Sequence, residues 1–186
     1  MSENSLLIVD DEPNVISAIK RTLVDEPYNI YSAHSGPEGL EVIKNHFIKV
    51  VISDEGMPGM AGSEFLSVVR RDFPDIVRIM LTGHMCIDTA IRAVNEGEIY
   101  RFFLKPWNDI DLRFAIQAAT DKYDLEEENR RLLRVVREQA VNLKLLEIHC
   151  PGITQLERDK NGRIMVPDIS EEEMSRIIAQ CEGDFA

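Results

Sequence analysis

Residues 50–62 read VVISDEGMPGMAG, a short strand-forming run that stops at two acids, a glycine and a Pro-Gly turn. A continuous β-branched run bounded by turn signals is what a strand buried on both faces requires. Leu6–Val9 and Val77–Leu81 have the same character, whereas Tyr28–Ala33 and Tyr100–Leu104 alternate more and belong nearer an edge. Helix-period segments at about 14–25, 37–46, 63–72 and 86–96 separate these runs, with Gly36, Gly62, Gly97, Pro13, Pro37, Pro58 and Pro74 at or near the joints. Five strands alternating with helices, the fifth helix starting at Asn108, predict an α/β fold. Its form is a five-stranded parallel, doubly wound sheet of the flavodoxin-like kind, with the ligand crevice at the carboxyl ends of the strands.

Beyond Trp107, Asn108 offers an N-cap and Asp109 and Asp111 supply first-turn acids. No Pro or Gly follows until Pro151, which predicts one helix of up to about 40 residues, far longer than the usual ~10–14. With Leu125 at d, the d series is Leu125, Leu132, Gln139 and Leu146, and the a series is Asn129, Val136 and Leu143. The pattern predicts a coiled coil and a homodimer, with Asn129 favouring a defined register. Leu133, Val135 and Ala140 at e and g widen the stripe beyond what two strands need, which keeps a four-helix arrangement open. After Pro151-Gly152, two short runs flank the hairpin signal Asn161-Gly162, and Ser170 with Glu173 forms a capping box before Met174–Cys181. The predicted organisation is a domain over 1–120, a coiled-coil continuation over 121–150 and a small ββα tail over 151–186.

Thirty-three acidic against 21 basic residues give a formal charge of −12, which opposes attraction to nucleic acid or anionic membrane. Direct nucleic-acid binding is therefore not expected. Cys86, Cys150 and Cys181 form no CxxC pair, which argues for reduced thiols. No apolar run reaches the ~20 residues of a membrane span, and the N-terminus carries no signal-peptide core. A cytoplasmic location is expected.

The chemistry gathers at the strand ends. The first run ends in Asp10-Asp11-Glu12, the third in Asp54-Glu55, the fourth in Thr82 and the fifth in Lys105-Pro106. In a parallel sheet these ends share one side. Carboxylates converging there beside a lysine suit a divalent cation and leave one carboxylate as a nucleophile. The histidines show no metal-ligand spacing: His34 and His46 are expected at the surface, and His84 near the rim of the site.

The strings LLIVDDEP, VVISDEGMPGMAG, IMLTG and YRFFLKPW, in this order and spacing, resemble the successive motifs of two-component response-regulator receiver domains over roughly residues 5–120. The resemblance implies that Asp54 is the phospho-acceptor. It implies that Asp10 and Asp11, with Asp54 and the backbone carbonyl of Gly56, hold Mg²⁺. Lys105 then pairs with the phosphoryl oxygens, Thr82 hydrogen-bonds them, and Phe102 is the switch aromatic. The signal is expected to leave through the face made by the fourth helix, fifth strand and fifth helix. The implied donor is a sensor histidine kinase or a phosphotransfer protein, and the implied output is a downstream protein. Two positions depart from the family pattern: Ala61 replaces the usual Asp, and Glu55 adds a charge beside the acceptor that is expected to tune phosphorylation.

Two other readings compete. A non-switching dimeric scaffold would use the coiled coil and tail alone, against which the complete acid, threonine and lysine set argues. An aspartyl-phosphate phosphatase would place a second acid two residues after the nucleophile, where this chain has Gly56. The chain is accordingly not expected to be an enzyme toward a separate substrate. It would assist only its own phosphorylation and dephosphorylation.

Overall fold

The computed structural model describes residues 4–83, 91 and 99–149. The chain divides into two compact units, Met1–Leu132 and Leu133–Ala186. Within the first unit, strands β1 (Asn4–Val9), β2 (Tyr28–Ala33), β3 (Val50–Asp54), β4 (Val77–Thr82) and β5 (Arg101–Leu104) form one sheet in the order β2-β1-β3-β4-β5, every pairing parallel. Helices α1 (Pro13–Thr22), α2 (Gly36–Asn45) and α3 (Gly62–Asp72) link the first four strands. The two alternating runs, β2 and β5, lie at the edges as expected. Apart from residue 91, the predicted helix over 86–96 lies outside the described residues, as does the predicted ββα tail, so the long C-terminal helix Asp109–His149 is designated α4.

The pleat sorts the strand residues into two cores. Leu6, Ile8, Val50, Ile52, Val77, Ile79 and Leu81 point to one face, where Ile16 and Ile19 of α1 and Leu112, Ile116 and Ala119 of α4 cover them. Leu7, Val9, Val51 and Met80 point to the other, under Ile43 of α2 and Phe65, Leu66 and Val69 of α3. This double coverage explains why the central runs read as unbroken apolar stretches. The register pairs Val9 with Ser53, Asp54 with Leu81 and Thr82 with Leu104, so β1, β3, β4 and β5 end at one level.

Local signals set the helix starts. Pro13 occupies the first turn of α1, and the Ser35 hydroxyl accepts from the Glu38 N–H at 3.4 Å at the start of α2. Asn108 caps α4 as predicted: its Oδ1 accepts from the Ile110 N–H at 2.8 Å and the Asp111 N–H at 3.2 Å. α4 then runs for 41 residues. Its buried apolar residues Leu112, Ala115, Ile116, Ala119 and Tyr123 follow helical spacing and end at Tyr123. Among the described residues no helix is long and apolar enough to cross a membrane.

Beyond Tyr123 ion pairs take over from apolar packing. Lys49, at the foot of β3 and 1% exposed, donates to Asp124 Oδ1 at 2.6 Å and to Asn4 Oδ1 at 2.9 Å, with its ammonium 5.9 Å from the Tyr123 ring centre. One and a half turns further on, Arg130 pairs with Asp75 at 2.8 Å. The Lys49 pair is asymmetric, because Asp124 is about half exposed whereas Lys49 is sealed in. Asp124→Ala leaves a buried cation short of its counter-charge and is expected to cost about 3 kcal/mol in urea unfolding. Lys49→Met lets Asp124 rehydrate and is expected to cost less than half as much. Equal losses in the two variants would contradict this account.

Candidate functional site

Asp10 follows β1 directly, Asp54 is the last residue of β3, Thr82 the last of β4, and Lys105 follows β5. The parallel sheet therefore brings all four to one rim. Asp10 and Thr82 are fully buried and Asp54 nearly so, while Asp11 is exposed at the mouth. The Lys105 ammonium lies 2.9 Å from Asp10 Oδ2 and 2.6 Å from Asp54 Oδ1. The remaining oxygens are held by the main chain: Asp10 Oδ1 accepts from the Glu12 N–H and Asp54 Oδ2 from the Gly56 N–H, each at 2.8 Å.

Backbone bonds lock these positions together. The Lys105 N–H donates to the Thr82 carbonyl at 2.8 Å, the Glu55 N–H to the Leu81 carbonyl at 2.9 Å and the Asp10 N–H to the Ala33 carbonyl at 3.2 Å. The Thr82 hydroxyl makes a local bond, donating to the Gly83 carbonyl at 3.2 Å. Phe102 is partly buried against the core cluster of Met80, Phe65 and Leu66, and lies beside Met80 in the sheet. His34 and His46 are exposed, His46 stacking on Tyr31 with ring centres 4.4 Å apart. His84 lies outside the described residues.

One oxygen from each of Asp10, Asp11 and Asp54 fits within 4.8 Å of the others. These three residues would hold a divalent cation such as Mg²⁺, which takes carboxylate oxygens as ligands. The donor chemistry fits a hard cation. Burial pushes the Asp10 carboxyl above its ordinary value, against the opposing pull of Lys105 and the Glu12 N–H. Burial alone would lower Lys105, but its bonds to Asp54 and Asp10 outweigh that and hold its proton more tightly than usual.

Sequence reasoning named Gly56 for its carbonyl; the bond seen here uses its N–H. The sequence marks Gly62 as a joint and gives no sign of a role for Ser63. A Cβ on Gly62 would lie 2.0 Å from the Asp54 carbonyl oxygen, so α3 starts directly against the Asp54 peptide and admits no side chain there. The signal available was a glycine at the joint just before the helix predicted over 63–72. Ser63 receives the Glu55 carboxylate: its N–H donates to Oε2 at 2.7 Å and its hydroxyl to Oε1 at 2.9 Å.

The family model for the response regulator receiver domain matches residues 6–117. The chain belongs to that family. It is 35% identical over 128 residues to the hydrogenase transcriptional regulatory protein HoxA of Cupriavidus necator, covering 69% of this chain and 26% of the relative. A crystal structure described as an adenylate cyclase from Rhodopirellula baltica superposes with a TM-score of 0.68 at 37% identity, over 71% of this chain and 98% of that one. A response regulator receiver domain protein from Clostridium thermocellum gives 0.62 at 33% identity, over 66% and 98%. The receiver spans about a quarter to a third of the length of the curated relatives it matches.

Asp10 carries a desolvation cost when ionised. As pH rises from its ordinary value of 3.8 through the raised one, the folded state holds its proton longer than the unfolded chain, and stability falls across that window. Asp10→Asn is thus expected to raise the melting temperature by about 2–4 °C at pH 7 without metal. The gain should shrink below pH 4, where both chains are neutral at this position. A gain that is unchanged at low pH would refute the assignment.

Proposed function

We propose that this receiver accepts a phosphoryl group on Asp54 from a sensor histidine kinase or a phosphotransfer protein and passes the change to its C-terminal helix. The observation that carries the reading is the meeting of Asp10, Asp11 and Asp54 with Lys105 braced between two of them. Transfer breaks the bond from phosphorus to the donor nitrogen and forms one to an Asp54 carboxylate oxygen; water later releases inorganic phosphate. Asp10, Asp11, Asp54 and the Gly56 carbonyl would hold Mg²⁺, which when bound neutralises phosphoryl charge. Lys105 turns from carboxylate to phosphoryl oxygens, and Thr82 exchanges its weak bond to Gly83 for one to the phosphoryl group. Phe102 follows inward beside Met80. The chain acts on no separate substrate, and its work is done in the cytoplasm.

The output proposed is contact with a downstream protein through a homodimeric coiled coil. Leu125, Leu132, Val136, Leu143 and Leu146 of the a and d series are between 48% and 67% exposed along one helix face, which is a cost that association removes. A formal charge of −12 disfavours direct contact with nucleic acid. The transcriptional role in the relatives' names belongs to proteins about two and a half times as long as this chain.

Acetyl phosphate with Mg²⁺ should form an acyl phosphate on the wild type and none on Asp54→Asn. Labelling that survives in the variant would remove Asp54 from the role. Light scattering with and without beryllofluoride, a phosphoryl mimic, tests the output. A shift in assembly or partner affinity is expected, and its absence would favour the unswitched scaffold.

A further inference from the structure

The first N–H groups of any helix need acceptors from outside it. In α3 the N-cap position is Ala61, extended at φ −65° and ψ 154° and without a side-chain acceptor. Both needs are met by one residue upstream: the Gly62 N–H donates to the Glu55 carbonyl at 3.1 Å, and the Ser63 N–H to the Glu55 carboxylate at 2.7 Å. The Ser63 hydroxyl adds a bond at 2.9 Å, and a negative charge is favourable at that end of the helix dipole. Glu55 thus closes residues 56–62 into a loop. Gly56 is the first residue in it, and its N–H is fixed to Asp54 Oδ2. Gly59 turns it at φ +84°, and Gly62 ends it against the Asp54 carbonyl.

We propose that Glu55 is a positioning residue: by capping α3 in place of Ala61 it fixes the loop that orients Gly56 beside Asp54, and so sets the affinity of the acid cluster for a divalent cation. The cation part rests on the Mg²⁺ reading above. The acceptor atoms of Glu55 matter here, its charge much less. Glu55→Gln keeps an acceptor for the Ser63 N–H, and the Ser63 hydroxyl can still pair with the amide. Glu55→Ala removes both. An aspartate at position 61 sits where an N-cap normally accepts from the second or third N–H of the helix. Ala61→Asp therefore restores the cap when Glu55 is gone and crowds a second carboxylate onto the same N–H when it is present.

The test is Mg²⁺ titration by calorimetry, with urea unfolding in the absence of metal, on the wild type, E55Q, E55A, A61D and the double variant E55A/A61D. E55A should bind Mg²⁺ about five-fold more weakly, the equivalent of one lost cap, and unfold at lower urea. E55Q should stay within about two-fold of the wild type, a neutral amide acceptor giving up only part of a charge-assisted bond. E55A/A61D should recover most of both losses, while A61D alone should gain nothing. E55Q falling as far as E55A would show that charge, not capping, is what Glu55 supplies. Failure of the double variant to recover would equally overturn the proposal. If the wild type itself binds no Mg²⁺, the cation half falls with the reading it rests on. The metal-free urea midpoints then judge the cap independently: lowered in E55A and restored in the double variant supports it, and unchanged overturns it.

Discussion

One ammonium shared by two buried carboxylates holds the functional rim together. Lys105 reaches Asp10 and Asp54 from a strand that neighbours neither of theirs, so its bonds cross the β4 strand end and tie three strands at one level. The balance is incomplete in electrostatic terms: among the described residues, two buried acids and a third at the mouth face a single cation. The surplus negative charge is costly in a desolvated rim, and that cost makes the place receptive to a hard cation and, through it, to phosphate. Stability and reactivity pull against each other at Asp10.

The rim exists only because the sheet is parallel and its inner strands end together. That in turn depends on two apolar cores of similar extent, one under α2 and α3 and one under α1 and α4. Gly62 shows how little slack remains, since α3 begins in contact with the main chain of Asp54.

Much of this was legible in the sequence. The strands could be read because burial on both faces leaves unbroken apolar runs such as Leu6–Val9, and the acids because they stop those runs at the crevice end. The edge positions of β2 and β5 followed from their alternation. Other features needed tertiary structure. Lys49 and Asp124 are 75 residues apart, and nothing local marks a lysine before a strand as buried. Glu55 was visible as a charge beside Asp54. Its use eight residues on, at Ser63, depends on a loop closing, and the only hint was an alanine standing where a helix wants a cap. Thr82 could be placed on the rim, but not its weak bond to Gly83.

The two anchors of α4 past Tyr123 differ in their shelter from water. Lys49 is sealed within the fold, while Arg130 and Asp75 are 40% and 53% exposed. Mobile ions screen an exposed pair strongly and a buried one little. Raising the ionic strength therefore loosens the helix from its outer anchor inward and halts at Asp124, so that salt sets how much of the helix stays fastened to the domain while the sheet and its rim are untouched.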